Sequence, residues 1–289
     1  MVHSQISNYL QLCRLNKPVG IFLLLWPTLW ALFDAAKGLP NLKILAIFGA
    51  GVILMRSAGC VINDYADRNF DDKVNRTKHR PLSQKTILPS HAIQLFIALC
   101  LIAFNLVLQL NSLTISLSFI ALLLAAIYPF IKRFSHLPQL VLGAAFSWSI
   151  PMSYGAILND IPPQTWILFA ANLCWTVAYD TQYAMIDKDD DLKIGIKSTA
   201  ILFGKFDCHA IAILQFLTLT LLSWFGLHND YSTIFYFGIA LAFLHFAWQT
   251  KLISGREKTK CFQAFKSNNQ VGLIITLALL AAQLYSGLQ

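Results

Sequence analysis

An apolar run that ends in a cluster of acids, KILAIFGAGVILMRSAGCVINDYADRNFDD at residues 43–72, decides the fold class. A helix needs about 20 apolar residues to cross a bilayer, and residues 43–65 supply that length. Similar runs recur along the 289-residue chain, which is 56% hydrophobic and 12% charged, with a mean hydropathy of +0.58. Soluble domains carry about 25% charged residues. The sequence predicts an all-α, polytopic membrane protein, since a β-barrel would show short segments of alternating hydrophobicity.

The apolar segments predict nine spans in one transmembrane domain that covers residues 1–289. The spans lie near 16–35, 43–65, 90–110, 112–131, 138–158, 163–187, 208–228, 231–252 and 270–288. All lysines and arginines except Lys37, Lys43 and Arg56 lie at the N-terminus or in loops after even-numbered spans. Because cytoplasmic loops carry the excess of basic residues, we expect the N-terminus and these loops in the cytoplasm.

With nine spans, this orientation puts the C-terminus in the periplasm. We expect the protein to lie in the cell inner membrane. The net charge of +8 then reflects topology and contact with the anionic lipid bilayer. The charge therefore needs no nucleic acid as a partner.

Two acidic clusters end even-numbered spans, and so are expected on the same cytoplasmic side. They are NDYADRNFDD at 63–72 and DTQYAMIDKDDD at 180–191, and they hold nine of the 14 acidic residues. Their equivalent placement suggests two pseudo-repeated halves. Residues four apart share one helix face. The side chains on these faces are Asn63, Asp67 and Asp71 in the first cluster and Asp187, Asp191, Asp180 and Tyr183 in the second.

Acids at this spacing repel one another on a helix, and carboxylates near a bilayer are costly, so a bound cation would offset both penalties. Oxygen ligands with open positions suit Mg²⁺ that carries a substrate phosphate. Basic side chains follow in nearby loops: Arg76, Arg80, Lys132, Arg133, Lys193 and Lys197. Together they predict a clamp for Mg²⁺–diphosphate. The alternative is a pair of solvated helix ends, which is the interpretation we give to Asp72, Asp189 and Asp190.

Arg56 is a charged residue inside an apolar span, about two turns before Asn63. It could snorkel to the interface or pair within the fold. The sharper hypothesis is a pocket arginine that binds an anionic group of a substrate.

The two clusters have the form NDxxDxxxD and DxxYAxxDxxxD, which resembles the signature motifs of UbiA-type intramembrane prenyltransferases. Four further stretches resemble the 4-hydroxybenzoate branch of this family, which acts in ubiquinone biosynthesis. They are RLNKPVGIFLLLWPTLWAL at 14–32, RTKHRPL at 76–82, YPFIKRFSHLPQLVLGAAFSWSIPM at 128–152 and KIGIKSTAILFG at 193–204.

The resemblance implies nine helices around a central cavity and Mg²⁺-dependent transfer of a polyprenyl group from polyprenyl diphosphate to 4-hydroxybenzoate, ortho to its hydroxyl. It implies that Arg56 holds the aromatic acid and that Asp64 or Asp67 takes the ring proton. It assigns the metal to Asn63, Asp67, Asp71, Asp187 and Asp191, support of the second motif to Asp180 and Tyr183, and diphosphate contacts to Arg76, Arg80, Tyr128 and Lys132. Association with other ubiquinone-pathway enzymes stays open.

Two other functions fit parts of the pattern. Intramembrane acids in repeated halves are also typical of cation- or proton-coupled transporters, although these acids lie at one membrane edge and not at the midplane. The same chemistry could serve another acceptor: haem, a naphthoate, a tocopherol precursor or chlorophyllide. Magnesium-dependent consumption of a polyprenyl diphosphate would exclude the transporter. A long hydrocarbon tail also predicts a side opening of the cavity to lipid.

Overall fold

The computed structural model describes residues 2–286, and within this range the chain forms helices and no strand. Two short 3₁₀ segments, Asp71–Lys73 and Gly204–Phe206, lie in the loops. The helices are α1 (Val2–Leu12), α2 (Val19–Ala35), α3 (Leu42–Asp67), α4 (Pro89–Val107), α5 (Ser112–Ile131), α6 (Pro138–Ser147), α7 (Ser149–Leu158), α8 (Gln164–Ile194), α9 (Thr199–Phe203), α10 (Asp207–His228), α11 (Thr233–Ile253) and α12 (Lys258–Ser286).

Seven helical stretches within residues 2–286 are long and apolar enough to cross a membrane. They are α3, α4, α5, α6 with α7, α9 with α10, α11 and α12. The apolar helix α2 has 17 residues, and α8 has 31 residues but carries the second acidic cluster. The chain is therefore an integral membrane protein, whereas the number of nine spans stays a prediction.

Several helix boundaries differ from the predicted spans. Helix α8 continues to Ile194, beyond the predicted end at residue 187, so the second acidic cluster is helical throughout. Span five is divided at Trp148 into α6 and α7. Pro151 explains the division, because it has no N–H to donate to the carbonyl four residues earlier. The predicted end of span nine at residue 288 lies outside the described residues.

Helix α1 was not predicted, because the sequence before the first span is too short and polar for a span. It lies against the C-terminal part of α3, where Leu12 and Cys13 pack with Val61 and Leu82.

The first and last apolar helices close the bundle through buried tryptophans. Trp30 of α2 stacks on Trp175 of α8, with ring centroids 5.2 Å apart. Both indoles donate to α12, Trp30 to Thr276 Oγ1 at 2.8 Å and Trp175 to Asn268 Oδ1 at 2.9 Å. Because a buried indole N–H needs an acceptor, these bonds fix how α2, α8 and α12 pack against one another.

Helices α4 and α5 form an outer wall. In their most apolar windows only 11% and 17% of the residues are buried inside the protein, against 44% for α3. Their apolar outer faces carry Leu101, Ile102, Phe119 and Leu123, each more than half exposed. In a bilayer these faces contact lipid, where an exposed apolar side chain costs nothing.

Candidate active site

The first acidic motif lies at the C-terminal end of α3, but it is not one helical stripe. Asn63 and Asp67 share a face of α3, which ends at Asp67 with Arg68 as the capping residue. The backbone then turns, and Asp71 opens a separate 3₁₀ segment. The prediction that Asp71 continues the helical face of Asn63 and Asp67 was therefore wrong. Helix propensity and spacing could not locate this turn, since four-residue spacing fits a longer helix equally well.

Arg80 joins the two parts of the first motif across the turn. Its Nη1 lies 3.0 Å from Asp64 Oδ1 and 2.9 Å from Asp71 Oδ2. Asp64 is 1% exposed and also accepts from Arg14, at 3.0 and 2.9 Å. Both oxygens of Asp64 are thus occupied by arginines. This carboxylate is built to hold cationic side chains in place, which leaves it little capacity to accept a ring proton.

These neighbours also shift titration in the loop after α3. The pKa of Asp71 is raised to about 6, because burial and the nearby carboxylates of Asp67 and Asp64 together outweigh the lowering effect of Arg80. Burial alone would lower the pKa of Arg80, but the charges of Asp64 and Asp71 raise it above its ordinary value. The arginine is charged at any physiological pH, so it is a permanent positive group in the site.

The second acidic motif is tied to the first motif's loop by Arg76. Its Nε donates to both oxygens of Asp187 at 3.0 Å, and its Nη1 donates to the hydroxyl of Tyr183. The guanidinium also lies over the Tyr183 ring, with Cζ 4.5 Å from the centroid. Because Tyr183 and Asp187 are four apart in α8, they form one surface for Arg76. This contact brings together residues of the two halves.

Helix α5 supplies the cation for Asp67. Lys132 Nζ donates to Asp67 Oδ2, while Arg133 donates to the carbonyl of Ala66. Asp67 is 3% exposed, and its other oxygen, Oδ1, is buried without a hydrogen-bond partner. An orphaned buried carboxylate oxygen costs free energy unless something binds it, so Asp67 has one acceptor ready for a ligand.

Three further motif side chains have no hydrogen bond or ion pair within the described range: Asn63, Asp180 and Asp191. Asp191 lies within electrostatic reach of Asp187, Lys132, Arg76 and Asp67, so residues of both halves surround it. These are hard oxygen donors with free positions, which fit a magnesium ion that keeps other ligands.

The carboxylates do not form a finished metal cage. No three His, Cys, Asp or Glu side chains in residues 2–286 are grouped as a ready cation site. Arg76 and Lys132 stand beside the carboxylates that such a cage would need. The donor set thus fits a metal that arrives with other ligands, such as phosphate oxygens, better than one held by protein alone.

Three residues predicted for the basic cluster lie at its edge. Lys193 is 75% exposed and faces Asp190 at 3.8 Å. Lys197 donates to the carbonyl of Phe134 at 3.0 Å. Arg133 stacks over Phe130 and Phe70. Within the described chain, none of the three pairs with a motif carboxylate. Of the acids predicted to be solvated, Asp72 and Asp189 are exposed, and the Asp190 side chain is 14% exposed.

A cavity of about 310 Å³ runs below the acids, between α2 and the helices from α3 to α7. Along α3 it is lined from Ile47 to Gly59, which is about 18 Å at the rise of an α-helix. Gly59 precedes Asn63 by one turn, and the cavity-lining Tyr128 precedes Lys132 by one turn. The acids and cations therefore lie at the end of the apolar cavity that is next to the C-terminus of α3.

Arg56 lines this cavity about 11 Å along α3 from Asn63. Its guanidinium lies over the Phe146 ring, with Cζ 5.3 Å from the centroid. Among the described residues it makes no hydrogen bond and no ion pair. Tyr128 borders the same space, with its hydroxyl 3.5 Å from the carbonyl of Gly59. A buried guanidinium that makes no hydrogen bond, with Asp180 as its electrostatic neighbour, fits recognition of an anionic ligand at an apolar wall.

Two residues that contribute to the site, Arg14 and Asp207, were not predicted. Arg14 was counted only as a topogenic charge, yet it pairs with Asp64, and no local pattern reveals a contact across 50 residues. Asp207 is fully buried and accepts from Lys188 at 2.9 Å and from Arg256 at 2.7 Å. Lys188 directly follows Asp187, so these ion pairs fix the C-terminal part of α8. A lone acid at a span boundary was the available signal.

Comparison with known proteins gives a consistent picture. The model of the UbiA prenyltransferase family matches residues 24–282. A protein of Vibrio cholerae serotype O1 named 4-hydroxybenzoate octaprenyltransferase is 57% identical over 272 residues, which is 94% of this chain and 96% of that protein.

Two solved structures share the fold. An apo UbiA homolog from Aeropyrum pernix superposes with a TM-score of 0.78, 24% identity, and coverage of 93% of this chain and 98% of that chain. A UbiA homolog from Archaeoglobus fulgidus, bound to GPP and Mg²⁺, gives a TM-score of 0.71 at 16% identity, with 95% and 99% coverage. At these identities the two structures establish the fold alone.

Proposed function

The chain belongs to the UbiA prenyltransferase family, and from this premise we propose that it transfers a polyprenyl group from its diphosphate to 4-hydroxybenzoate. The ring carbon ortho to the hydroxyl is alkylated, and diphosphate leaves. The Vibrio cholerae relative is named an octaprenyltransferase, and octaprenyl diphosphate is the donor we propose here. One observation carries the proposal: acids and cations from both halves lie over an apolar cavity, and an arginine in its wall makes no hydrogen bond or ion pair within the described residues.

The acids suit the diphosphate through Mg²⁺. We assign the metal to Asn63, Asp67, Asp71, Asp187 and Asp191, among which Asp67 offers a free buried oxygen. When bound, Mg²⁺ neutralises the diphosphate oxygens and so makes diphosphate a better leaving group. Two more side chains support the second motif. Asp180 lies on α8 one helical turn before Ala184, and Tyr183 acts through its contact with Arg76.

The cations complete the clamp. Arg76 and Lys132 contact carboxylates of the motifs, and each can turn to a phosphate oxygen when the ligand brings its own charge. Arg80 is fixed between Asp64 and Asp71, so it offers its remaining N–H groups from a rigid position. Preorganised cations of this kind stabilise charge that develops on the departing group. Positive electrostatic potential at the edge of the site comes from Lys193, Lys197 and Arg133.

The cavity serves the hydrocarbon. Ionisation of the C–O bond leaves an allylic cation, and the apolar lining excludes the water that would quench it. The aromatic faces of Phe146 and Tyr128 lie beside this space. The tail extends toward the lipid-facing wall of α4 and α5, whose residues Leu101, Phe119 and Leu122 line the cavity and are also exposed.

Arg56 binds the acceptor. Its guanidinium can take the carboxylate of 4-hydroxybenzoate in the bidentate manner that suits this pair. The phenol ring is then held between Arg56 and the acids, where it can attack the allylic carbon. The ring proton goes to a carboxylate of the first motif. Asp67 can take it on Oδ2 once Lys132 turns to the diphosphate, whereas both oxygens of Asp64 are held by arginines.

The topology follows from the same assignment. Nine spans form one domain over residues 1–289, with pseudo-repeated halves that each bring one acidic motif to the cytoplasmic face. The N-terminus and the site loops are cytoplasmic, the C-terminus is periplasmic, and the membrane is the inner membrane. Both substrates reach this site, the acid from the cytoplasm and polyprenyl diphosphate from the bilayer.

The test is prenylation in isolated membranes with labelled 4-hydroxybenzoate, octaprenyl diphosphate and Mg²⁺. Wild-type protein is compared with Asp67→Ala and Asp191→Ala. The exposed acids Asp72 and Asp189 provide matched controls, Asp72→Ala and Asp189→Ala, one for each motif.

We expect lipid-soluble labelled product from wild type and both controls, and none from the motif variants. No product from folded wild type would overturn the benzoate assignment. Equal product from all variants would show that the motifs are only charged helix ends.

A further inference from the structure

Gly20, in the first turn of α2, lies directly against the guanidinium of Arg56. A Cβ added at Gly20 would stand 2.4 Å from Arg56 Nε, 2.6 Å from Nη2 and 2.8 Å from Cζ. All three of its nearest neighbours thus belong to one side chain. The guanidinium occupies the space that any other residue at position 20 would fill.

The backbone gives no other reason for glycine at this place. Its φ is not positive, unlike the φ angles of Gly38, Gly195 and Gly204. Inside a helix, glycine is less favourable than alanine. The close approach to Arg56 is therefore what the missing side chain makes possible.

Packing and the nearby charge of Asp180, and not hydrogen bonding, fix the pose of Arg56. Its guanidinium has no acceptor within residues 2–286, and it is bounded by the Phe146 ring and by Gly20. An arginine tip is flexible, so a small steric change at Gly20 moves the guanidinium and leaves the backbone in place.

We propose that Gly20 is a positioning residue that sets the pose of Arg56 and thereby the recognition of the acceptor's carboxylate. The inference rests on the proposed function, because it takes Arg56 as the group that binds the aromatic acid. It links Gly20 of the KPVG stretch at 17–20, to which no function was assigned from the sequence, to the choice of an anionic acceptor.

A Cβ at Gly20 should act on one substrate only. In Gly20→Ala the guanidinium is displaced, and the KM for 4-hydroxybenzoate rises about tenfold or more, as expected for a weakened charge-assisted contact. The KM for octaprenyl diphosphate and kcat change less than twofold, because the acids and cations above the cavity are untouched.

The experiment measures both KM values and kcat in membranes for wild type, Gly20→Ala, Arg56→Ala and the double variant. Gly49→Ala in α3 is the matched control, since a Cβ there meets nothing within 4 Å. If Gly20 acts through Arg56, the double variant has the same acceptor KM as Arg56→Ala alone, because the atoms that Cβ would meet are gone.

An unchanged acceptor KM in Gly20→Ala, additive effects in the double variant, or an equal rise in both KM values would overturn the inference. If Gly20→Ala fails to fold, a folded double variant supports the contact and a misfolded one overturns it. Normal wild-type turnover separates these outcomes from failure of the proposed function, in which wild type forms no product and the inference fails with it.

Discussion

Two buried carboxylates at opposite ends of the bundle have opposite surroundings. Asp34, at the end of α2, is 1% exposed and accepts hydrogen bonds from Tyr154, Tyr231 and Gln283, with Lys37 at 3.4 Å. Asp67, at the end of α3, is 3% exposed, yet one of its oxygens has no partner. Burial is nearly equal, so burial does not distinguish the two.

The two carboxylates differ in how fully their oxygens are satisfied by hydrogen-bond donors. The donors around Asp34 come from α7, α12 and the connection between α10 and α11. This carboxylate therefore joins several elements at the end of the bundle opposite to the acidic motifs. A satisfied buried network makes a structure rigid, whereas a partly satisfied one is costly without a ligand. Asp34 therefore stabilises the fold, and Asp67 keeps capacity for a substrate.

The largest effect should follow from Asp67→Asn. The change keeps the volume but removes the negative charge that Mg²⁺–diphosphate requires, so we expect kcat/KM to fall about a thousandfold. Prenylation kinetics in membranes measure this, and thermal unfolding in detergent checks the fold. If the variant's melting temperature falls so far that it is unfolded under the assay conditions, the lost activity reflects lost folding, and Asp67 is a structural acid like Asp34.

The second effect concerns Asp34→Ala, which leaves the hydroxyls of Tyr154 and Tyr231 and the amide of Gln283 without their acceptor. We expect a loss of about 3 kcal/mol in unfolding free energy, with unchanged KM values for the folded fraction. Denaturant unfolding in mixed micelles gives the first quantity. A large change in either KM would contradict the division between the two ends.

A smaller effect concerns the cations beside the acids. Removing the positive charge in Lys132→Gln frees Asp67, so substrate-free protein should bind Mn²⁺ about tenfold more tightly, while its KM for the diphosphate rises. Electron paramagnetic resonance of free Mn²⁺ measures the affinity. Weaker Mn²⁺ binding in the variant would mean that Lys132 does not compete with the metal.

The smallest effect should come from Lys193→Gln, the control for Lys132→Gln. Lys193 is 75% exposed and 3.8 Å from Asp190, and exposed ion pairs contribute little. Activity and Mn²⁺ affinity should both stay within about twofold of wild type. A loss as large as that of Lys132→Gln would place Lys193 in the clamp after all.

Much of this molecule was predictable because membranes impose strong local rules. Apolar length and charge asymmetry predicted the helical membrane class, and the two acidic motifs identified the family, which the comparisons confirm. The clustering of the motifs around Arg76 and Lys132 was also expected, and the contacts of these two residues with Asp187 and Asp67 agree with it.

Other parts of the site could not be predicted from the sequence, for physical reasons that can be named. The turn after Asp67 was invisible, because spacing alone cannot tell a long helix from a helix followed by a 3₁₀ segment. Asp64 was a candidate base from its place in the motif, while its two arginine partners depend on contacts 16 and 50 residues away.

The sequence by itself thus determined the class, the family and the chemistry of the site, since hydropathy and acidic spacing are local properties. Only the tertiary structure decided which acids are satisfied and which are free. It gave Asp34 a full set of donors, left Asp67 one open oxygen, and set Gly20 against Arg56. Such contacts join residues far apart in the chain, and their geometry arises only when the helices pack.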